Sequence, residues 1–263
     1  LDLEQAHLRI IANYWQIPRL QQCFRDGYDA HNLLARDVEG DKFLNAPGWP
    51  AGMSNDEKMK TKPPGGTIPR ALREFYKTMR YLLAYAGEEE TAWLTLMSTE
   101  TSPGVLPYLM TKLSAVARIR DRWLEVEPEW EGAWAWMEQL YAQNAETNNG
   151  LGFMVGPLSG RRSGVLEDGK KQAVVNWPIL ETEAMIMRIV EQNVIALYPW
   201  LVDGPGTGVI AQIHDAVKLE LSSRRDPKRV CAELNEAATV VIPGWDTSFK
   251  VEVHHGTHFG QLG

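Results

Sequence analysis

Apolar positions at helical spacing run through most of the chain. Leu8, Ile11, Ala12 and Trp15 recur at intervals of three and four from near the start and predict a first helix. Pro18 interrupts it, a second helix follows around Leu20, Cys23 and Phe24, and after Gly27 a third forms around His31, Leu33 and Leu34. From Asn45 to Pro69 the texture turns to Pro, Gly and Lys, centred on Pro63-Pro64-Gly65-Gly66, and reads as a long loop or insertion. An uninterrupted helical pattern runs from Ile68 to about Ala86, with Pro69 in the first turn where proline is tolerated. Further helices are expected at 105–124 and 130–145, the latter carrying Trp130, Trp134, Trp136, Leu140 and Tyr141. Residues 151–176 turn to Gly and short β-like runs, 178–198 to a long helix, and 209–221 to strand, turn and strand, with a last strand at Phe249–Val253. The pattern predicts a helical middle between two pieces of a mixed α/β unit, without internal repeats.

At 263 residues and 44% apolar, the chain can bury one large core or two intertwined ones. No stretch approaches the roughly 18 consecutive apolar residues of a membrane span, so no membrane partner is expected. No basic leader followed by an apolar run opens the sequence. Cys23 and Cys231 fit no metal spacing and read as two reduced thiols of a cytoplasmic protein. The net charge of −7 argues against a uniformly basic nucleic-acid binder. Cations nevertheless gather at Lys58, Lys60, Lys62, Arg70, Arg73, Lys77 and Arg80, and again at Arg161, Arg162, Lys170 and Lys171. A basic cleft on an acidic body is permitted.

Three segments carry candidate chemistry. Asp2 stands where a strand enters a helix, a position also suited to a plain N-cap. Arg73, Lys77 and Tyr81 recur at i, i+4 and i+8 along one helix face, with Tyr85 a turn further on. Two cations and two aromatic rings on one stripe suit a nucleoside triphosphate, while a solvated face over aromatic anchors gives the same pattern. In the third, alternating runs flank His214-Asp215 and place a carboxylate at a hairpin tip. Two such carboxylates from different strands suit Mg²⁺, a hard cation that favours oxygen ligands.

In order and separation these segments resemble the family A DNA polymerases. Asp2-Leu3-Glu4-Gln5-Ala6-His7-Leu8-Arg9, with Phe24 to His31 after it, looks like motif A and the helix that follows. Arg73, Lys77 and Tyr85 resemble motif B, and Ile213-His214-Asp215 resembles motif C. Gly160-Arg161-Arg162 is similar to the basic hairpin after the fingers. Asn176-Trp177-Pro178 with Thr182 is similar to the palm helix before motif C, and Val251-Glu252-Val253 to the closing palm strand.

The resemblance implies a mixed α/β (α+β) right-hand polymerase fold, with an antiparallel palm sheet, an inserted helical fingers subdomain and no thumb in this chain. Its parts would be palm at 1–18, fingers at 19–165 with the motif B helix at about 68–86, and palm again at 166–263 with the motif C hairpin at about 209–221. Asp2 and Asp215 would be catalytic, holding two Mg²⁺ ions (Mn²⁺ a substitute) with the Leu3 carbonyl as a further ligand. Arg73, Lys77, Tyr81 and His7 would meet the incoming dNTP; Tyr85, His214, Arg161, Arg162 and Asn176 would meet the DNA primer-template. An upstream polypeptide would supply the thumb and remaining palm.

The sequence departs from that pattern at four places. His7 stands for the usual Glu that blocks a ribose 2′-hydroxyl, Ala216 for an acid after the motif C Asp, Ala86 for a Gly, and Leu180-Glu181 for Gln-Gly. Single-subunit RNA polymerases share two of these departures, so a ribonucleotide or primer-synthesising enzyme stands as the alternative, with a non-catalytic polymerase-like subunit behind it. A metal-dependent nuclease uses two carboxylates but needs no motif B helix. Because Asp2 lies so near the start, the same reading expects it at a fraying end, beside an apolar patch at Leu1–Ile11 and the 209–221 hairpin that is exposed or covered by a partner.

Overall fold

The structure is a computed structural model and describes residues 1–85, 90, 94, 113–166, 171–199, 208–213, 216–220 and 226–256. The chain divides into two compact units. One comprises Leu1–Tyr14, Val155–Arg161 and Pro178–Gly263, the other Trp15–Met154 and Arg162–Trp177.

The first unit holds the sheet. Its strands are β1 (Asp2–Leu3), β2 (Gly208–Ile213), β3 (Ala216–Glu220) and β4 (Val251–Glu252), in the order β2-β3-β1-β4. All pairings are antiparallel, and β1, the shortest with β4, is an inner strand. Asp2 pairs with Ala216 on one side and Glu252 on the other. Val217 N–H donates to Leu1 O at 2.8 Å, the Leu1 amino group donates to Val217 O at 3.0 Å, and Glu4 N–H donates to Lys250 O at 3.0 Å.

The expected fraying end is therefore corrected: long-range partners on both sides hold the Asp2 backbone. The Leu1–Ile11 part of the expected apolar patch is corrected with it, because Leu3, Leu8, Ile10 and Ile11 are buried inside the same unit; on the hairpin, Val209 is exposed. Helix α1 (Ala6–Tyr14) follows β1 at once and is fastened to the far end of the chain. Asn13 Nδ2 donates to Thr247 Oγ1 at 2.5 Å, Asp246 N–H to Asn13 Oδ1 at 2.7 Å, and Arg9 Nη1 to Ser248 O at 3.0 Å.

The second unit is helical: α2 (Pro18–Arg25), α3 (Ala30–Glu39), α4 (Asp41–Leu44), α5 (Asn55–Lys60), α6 (Ile68–Ala84), α7 (Leu113–Val126) and α8 (Glu129–Glu146). Helix α6 starts where Thr67 caps the Arg70 amide and Pro69 occupies the first turn. The supposed loop at 45–69 contains α5, which Ser54 and Glu57 close with a reciprocal capping box. Its core is aromatic. Trp130 lies 4.6 Å from Trp123 and 5.5 Å from Trp15 between ring centroids, and all three are buried.

Glu127 sits among these rings at 1% exposure and accepts from Trp123 Nε1 at 2.6 Å, Trp130 Nε1 at 2.7 Å and Arg80 Nη2 at 2.5 Å. One carboxylate thus joins α6, α7 and α8. Of the helix expected at 105–124, residues 105–112 lie outside the described residues.

Helix α9 (Lys171–Leu197) contributes its start to the helical unit and the rest to the sheet unit. It begins earlier than the expected 178, because Pro178 lies inside it. A proline forfeits one backbone donor but need not end a helix that packing holds on both sides. A turn further on, Thr182 Oγ1 donates to Pro178 O at 2.6 Å. Helix α10 (Pro227–Ala237), capped by Asp226, completes the sheet unit.

Candidate active site

The sheet unit presents Asp2 at its middle. Its side chain is exposed while its backbone is paired on both sides, so the carboxylate projects from a fixed strand. Its β3 partner, Ala216, follows Asp215 in sequence. His214 and Asp215 themselves lie outside the described residues. Leu3, the expected carbonyl ligand, is the next residue of β1, with its side chain buried. An exposed carboxylate and a neighbouring carbonyl are hard oxygen donors of the kind Mg²⁺ takes. Among the described residues no cluster of three His, Cys, Asp or Glu side chains forms a metal site.

His7, one turn into α1, places Nε2 2.8 Å from Glu183 Oε1 of α9. Two residues before Glu183, Glu181 lies buried beneath residues 156–161, where its carboxylate accepts from Ser159 Oγ. Arg161 in that turn is exposed.

In the helical unit the expected α6 stripe divides by burial. Arg73 is 6% exposed, Lys77 is exposed, and Tyr81 and Tyr85 are intermediate, their rings stacked with centroids 6.3 Å apart. Each four-residue step advances about 40° around a helix axis, so residues at i, i+4 and i+8 need not share one level of burial. Arg73 is held by Asp29, its Nη2 at 2.6 Å and Nε at 3.1 Å from Oδ2, and by Glu74 Oε1 at 2.7 Å from Nη1. Burial alone would raise the Asp29 carboxyl, but electrostatic attraction from His31 and the Arg73 guanidinium, with the hydrogen bonds from Arg73 and the Asn32 amide, outweighs it and holds the pKa below the ordinary value.

His31 is the residue of this region that the motif reading left without a role. Its ring lies 5.5 Å from the Tyr81 ring, it is 1% exposed, and Nδ1 has no hydrogen-bond partner among the described residues. Burial drives its pKa well below the ordinary histidine value; Asp29 opposes this, while Arg73, Arg80 and Lys77 add to it. The signal in the sequence was the spacing of Asp29, capping α3, from His31 inside its first turn.

Arg162, also exposed, lies over the Phe153 ring at 4.7 Å in the helical unit. Asn176, near the start of α9, has a buried Oδ1 with no hydrogen-bond partner among the described residues.

A mixed fold of helices and an antiparallel sheet, ordered in this way, is similar to that of a polymerase domain. The solved structure that shows the likeness is the POL domain of Pol1 from M. smegmatis, in complex with DNA primer-template and dNTP. Its TM-score is 0.63 and its sequence identity 18%, over 94% of this chain and 37% of that one. The chain thus spans well under half the length of the protein it resembles. No family model and no curated protein matches the sequence. No helix among the described residues is long and apolar enough to cross a membrane.

Proposed function

We propose that this chain is a subunit or fragment of a template-directed DNA polymerase, adding dNTPs to the 3′-hydroxyl of a primer. The observation that carries the reading is the pairing of Asp2 with Ala216 in the inner strands of the sheet. It gives the first motif carboxylate a long-range partner that is the neighbour in sequence of the second, Asp215. Residues 1–18 and 166–263 would be palm, and 19–165 fingers.

Asp2 and Asp215, with the Leu3 carbonyl, would hold Mg²⁺ or Mn²⁺, which supplies charge to acidify the attacking hydroxyl and stabilise the departing pyrophosphate. Lys77, exposed on α6, would meet the triphosphate as a point charge, and Arg73, fixed by Asp29, would present a pre-oriented guanidinium. Tyr81 would pack against sugar and base, with His31 beside it. Tyr85, His214, Arg161, Arg162 and Asn176 would contact primer-template. The net charge of −7 favours a further polypeptide that supplies cations and the thumb. Ribonucleotide polymerisation is the second reading, favoured by the turn of His7 toward Glu183 where the resemblance expects a glutamate.

Primer extension with dNTPs or rNTPs, with Mg²⁺ or Mn²⁺, tests the proposal. Asp215→Asn should abolish extension and leave primer-template binding largely intact. Lys77→Ala should cut incorporation far more than binding. Primer-template binding without extension under any of these conditions, in the presence of the upstream polypeptide, would leave a non-catalytic accessory subunit.

A further inference from the structure

Residues 156–161 close on themselves. Gly156 N–H donates to Arg161 O at 2.8 Å, Gly160 N–H donates to Gly156 O at 2.9 Å, and Gly160 takes a φ of 69° that suits glycine. Beneath the turn lies Glu181 of α9, 8% exposed. Its Oε1 accepts from Ser159 Oγ, and Ser159 Oγ in turn accepts from Arg161 N–H at 3.0 Å. Its Oε2 is buried without a hydrogen-bond partner among the described residues. The space for it exists because residue 156 is glycine: a Cβ there would stand 2.0 Å from Oε2 and 2.5 Å from the carboxyl carbon.

A buried carboxylate with one oxygen unmatched disfavours folding, so its place calls for a use other than stability. The relay Glu181–Ser159–Arg161 ends on the backbone of an exposed cation whose side chain has no ion-pair partner among the described residues. The Arg161 backbone is held at both N–H and C=O, while its guanidinium is left to meet a ligand. Pre-organisation of this kind lowers the ordering cost of binding an anion.

We propose that Glu181 is a positioning residue that, through Ser159, sets Arg161 against one backbone phosphate of a bound nucleic acid. The proposal rests on the polymerase reading for the identity of the ligand and on the turn alone for the positioning.

The test measures anisotropy of a labelled primer-template over salt from about 50 to 200 mM, together with amide exchange in the free chain. Arg161→Ala should lower the slope of log affinity against log salt by about 0.9, one phosphate contact on a duplex. Ser159→Ala and Glu181→Ala should reproduce most of that change and add little to it in the Arg161→Ala background. Glu181→Gln, which keeps an acceptor for Ser159, should restore the wild-type slope. Ser159→Ala removes only a hydroxyl and should fold even if Glu181→Ala does not. It should also speed exchange at the Arg161 and Gly160 amides.

A wild-type slope in Ser159→Ala, set against a reduced one in Arg161→Ala, overturns the proposal, as does full additivity of the two. Unchanged exchange in Ser159→Ala overturns the positioning role whatever the chain binds. A wild-type chain that binds no primer-template overturns the polymerase reading instead, and the exchange result still decides the positioning.

Discussion

Asp29 and Arg73 meet across α3 and α6 with the guanidinium Nη2 2.6 Å from the carboxylate, both side chains at or below 10% exposure. The same carboxylate uses its other oxygen to cap α3, accepting from the His31 and Asn32 amides at 2.9 Å each. One side chain therefore starts a helix and fixes the cation proposed to meet a triphosphate. Asp29→Ala should cost about 3–5 kcal/mol, because it strands a buried charge as well as removing a cap. Asp29→Asn keeps the cap acceptor and should cost less. Urea unfolding of the two variants separates the contributions, and a raised KM for dNTP in Asp29→Asn would tie the pair to nucleotide binding.

The pH dependence of stability should follow His31. Burial keeps its imidazole neutral in the folded chain, with a pKa well below the ordinary 6.5. As pH falls below 6.5 the unfolded chain takes up a proton that the folded chain does not, so stability falls with pH until the folded value is reached. The slope from this group is at most about 1.4 kcal/mol per pH unit. His31→Gln should flatten the unfolding free energy between about pH 6.5 and 5. An unchanged slope would show that another group governs that range. Asp29 acts at lower pH with the same sign of slope: its contribution is present above the ordinary 3.8 and lost as pH falls through the depressed folded value.

Helix α6 was legible because every local signal agreed: Thr67 as cap, Pro69 in the first turn and a periodic apolar face. Helix α5 was not, although Ser54 and Glu57 form a capping box, because the surrounding Pro, Gly and Lys dominate the composition. Pro178 hid the first turns of α9 for the same reason of local punctuation. The hairpin strands showed in their alternation, and β2 and β3 pair as expected. The pairing of β1 with β3 and β4 spans more than 200 residues and leaves no local trace in a two-residue strand. Within the candidate site, helical spacing identified the α6 stripe but not the burial that separates Arg73 from Lys77. That separation depends on Asp29, 44 residues away.

Glu127 supplies a third stability prediction. It is the shared acceptor of Arg80, Trp123 and Trp130, and Arg80 is fully buried. Glu127→Ala leaves an uncompensated guanidinium and two buried indole N–H groups, at a cost of about 3–5 kcal/mol or more. Replacing both partners, Arg80→Met with Glu127→Leu, should recover part of the loss because no charge is then stranded. Thermal unfolding followed by tryptophan fluorescence reads both variants. Equal losses in the single and double variants would show that the pair's charge is not what makes the single variant unstable.

The last prediction concerns sugar selection. An imidazole is shorter than a glutamate and can donate, so at His7 it is expected to reject rNTPs less strongly than the glutamate of the DNA enzymes does. The plain test, His7→Glu, is confounded by the structure, because His7 Nε2 stands 2.8 Å from Glu183 Oε1. A glutamate at position 7 would bring two carboxylates together in a half-buried place, where like charges repel and one is driven to take up a proton. His7→Glu alone should therefore lose stability and activity toward both sugars. His7→Glu with Glu183→Gln removes the repulsion, restores folding and leaves a single carboxylate to act on the sugar. Incorporation kinetics for dCTP and CTP in the double variant should show sharper rejection of the ribonucleotide than in the wild type or Glu183→Gln alone. Discrimination equal in all three would remove His7 from sugar selection and leave its contact with Glu183 as a tie between α1 and α9.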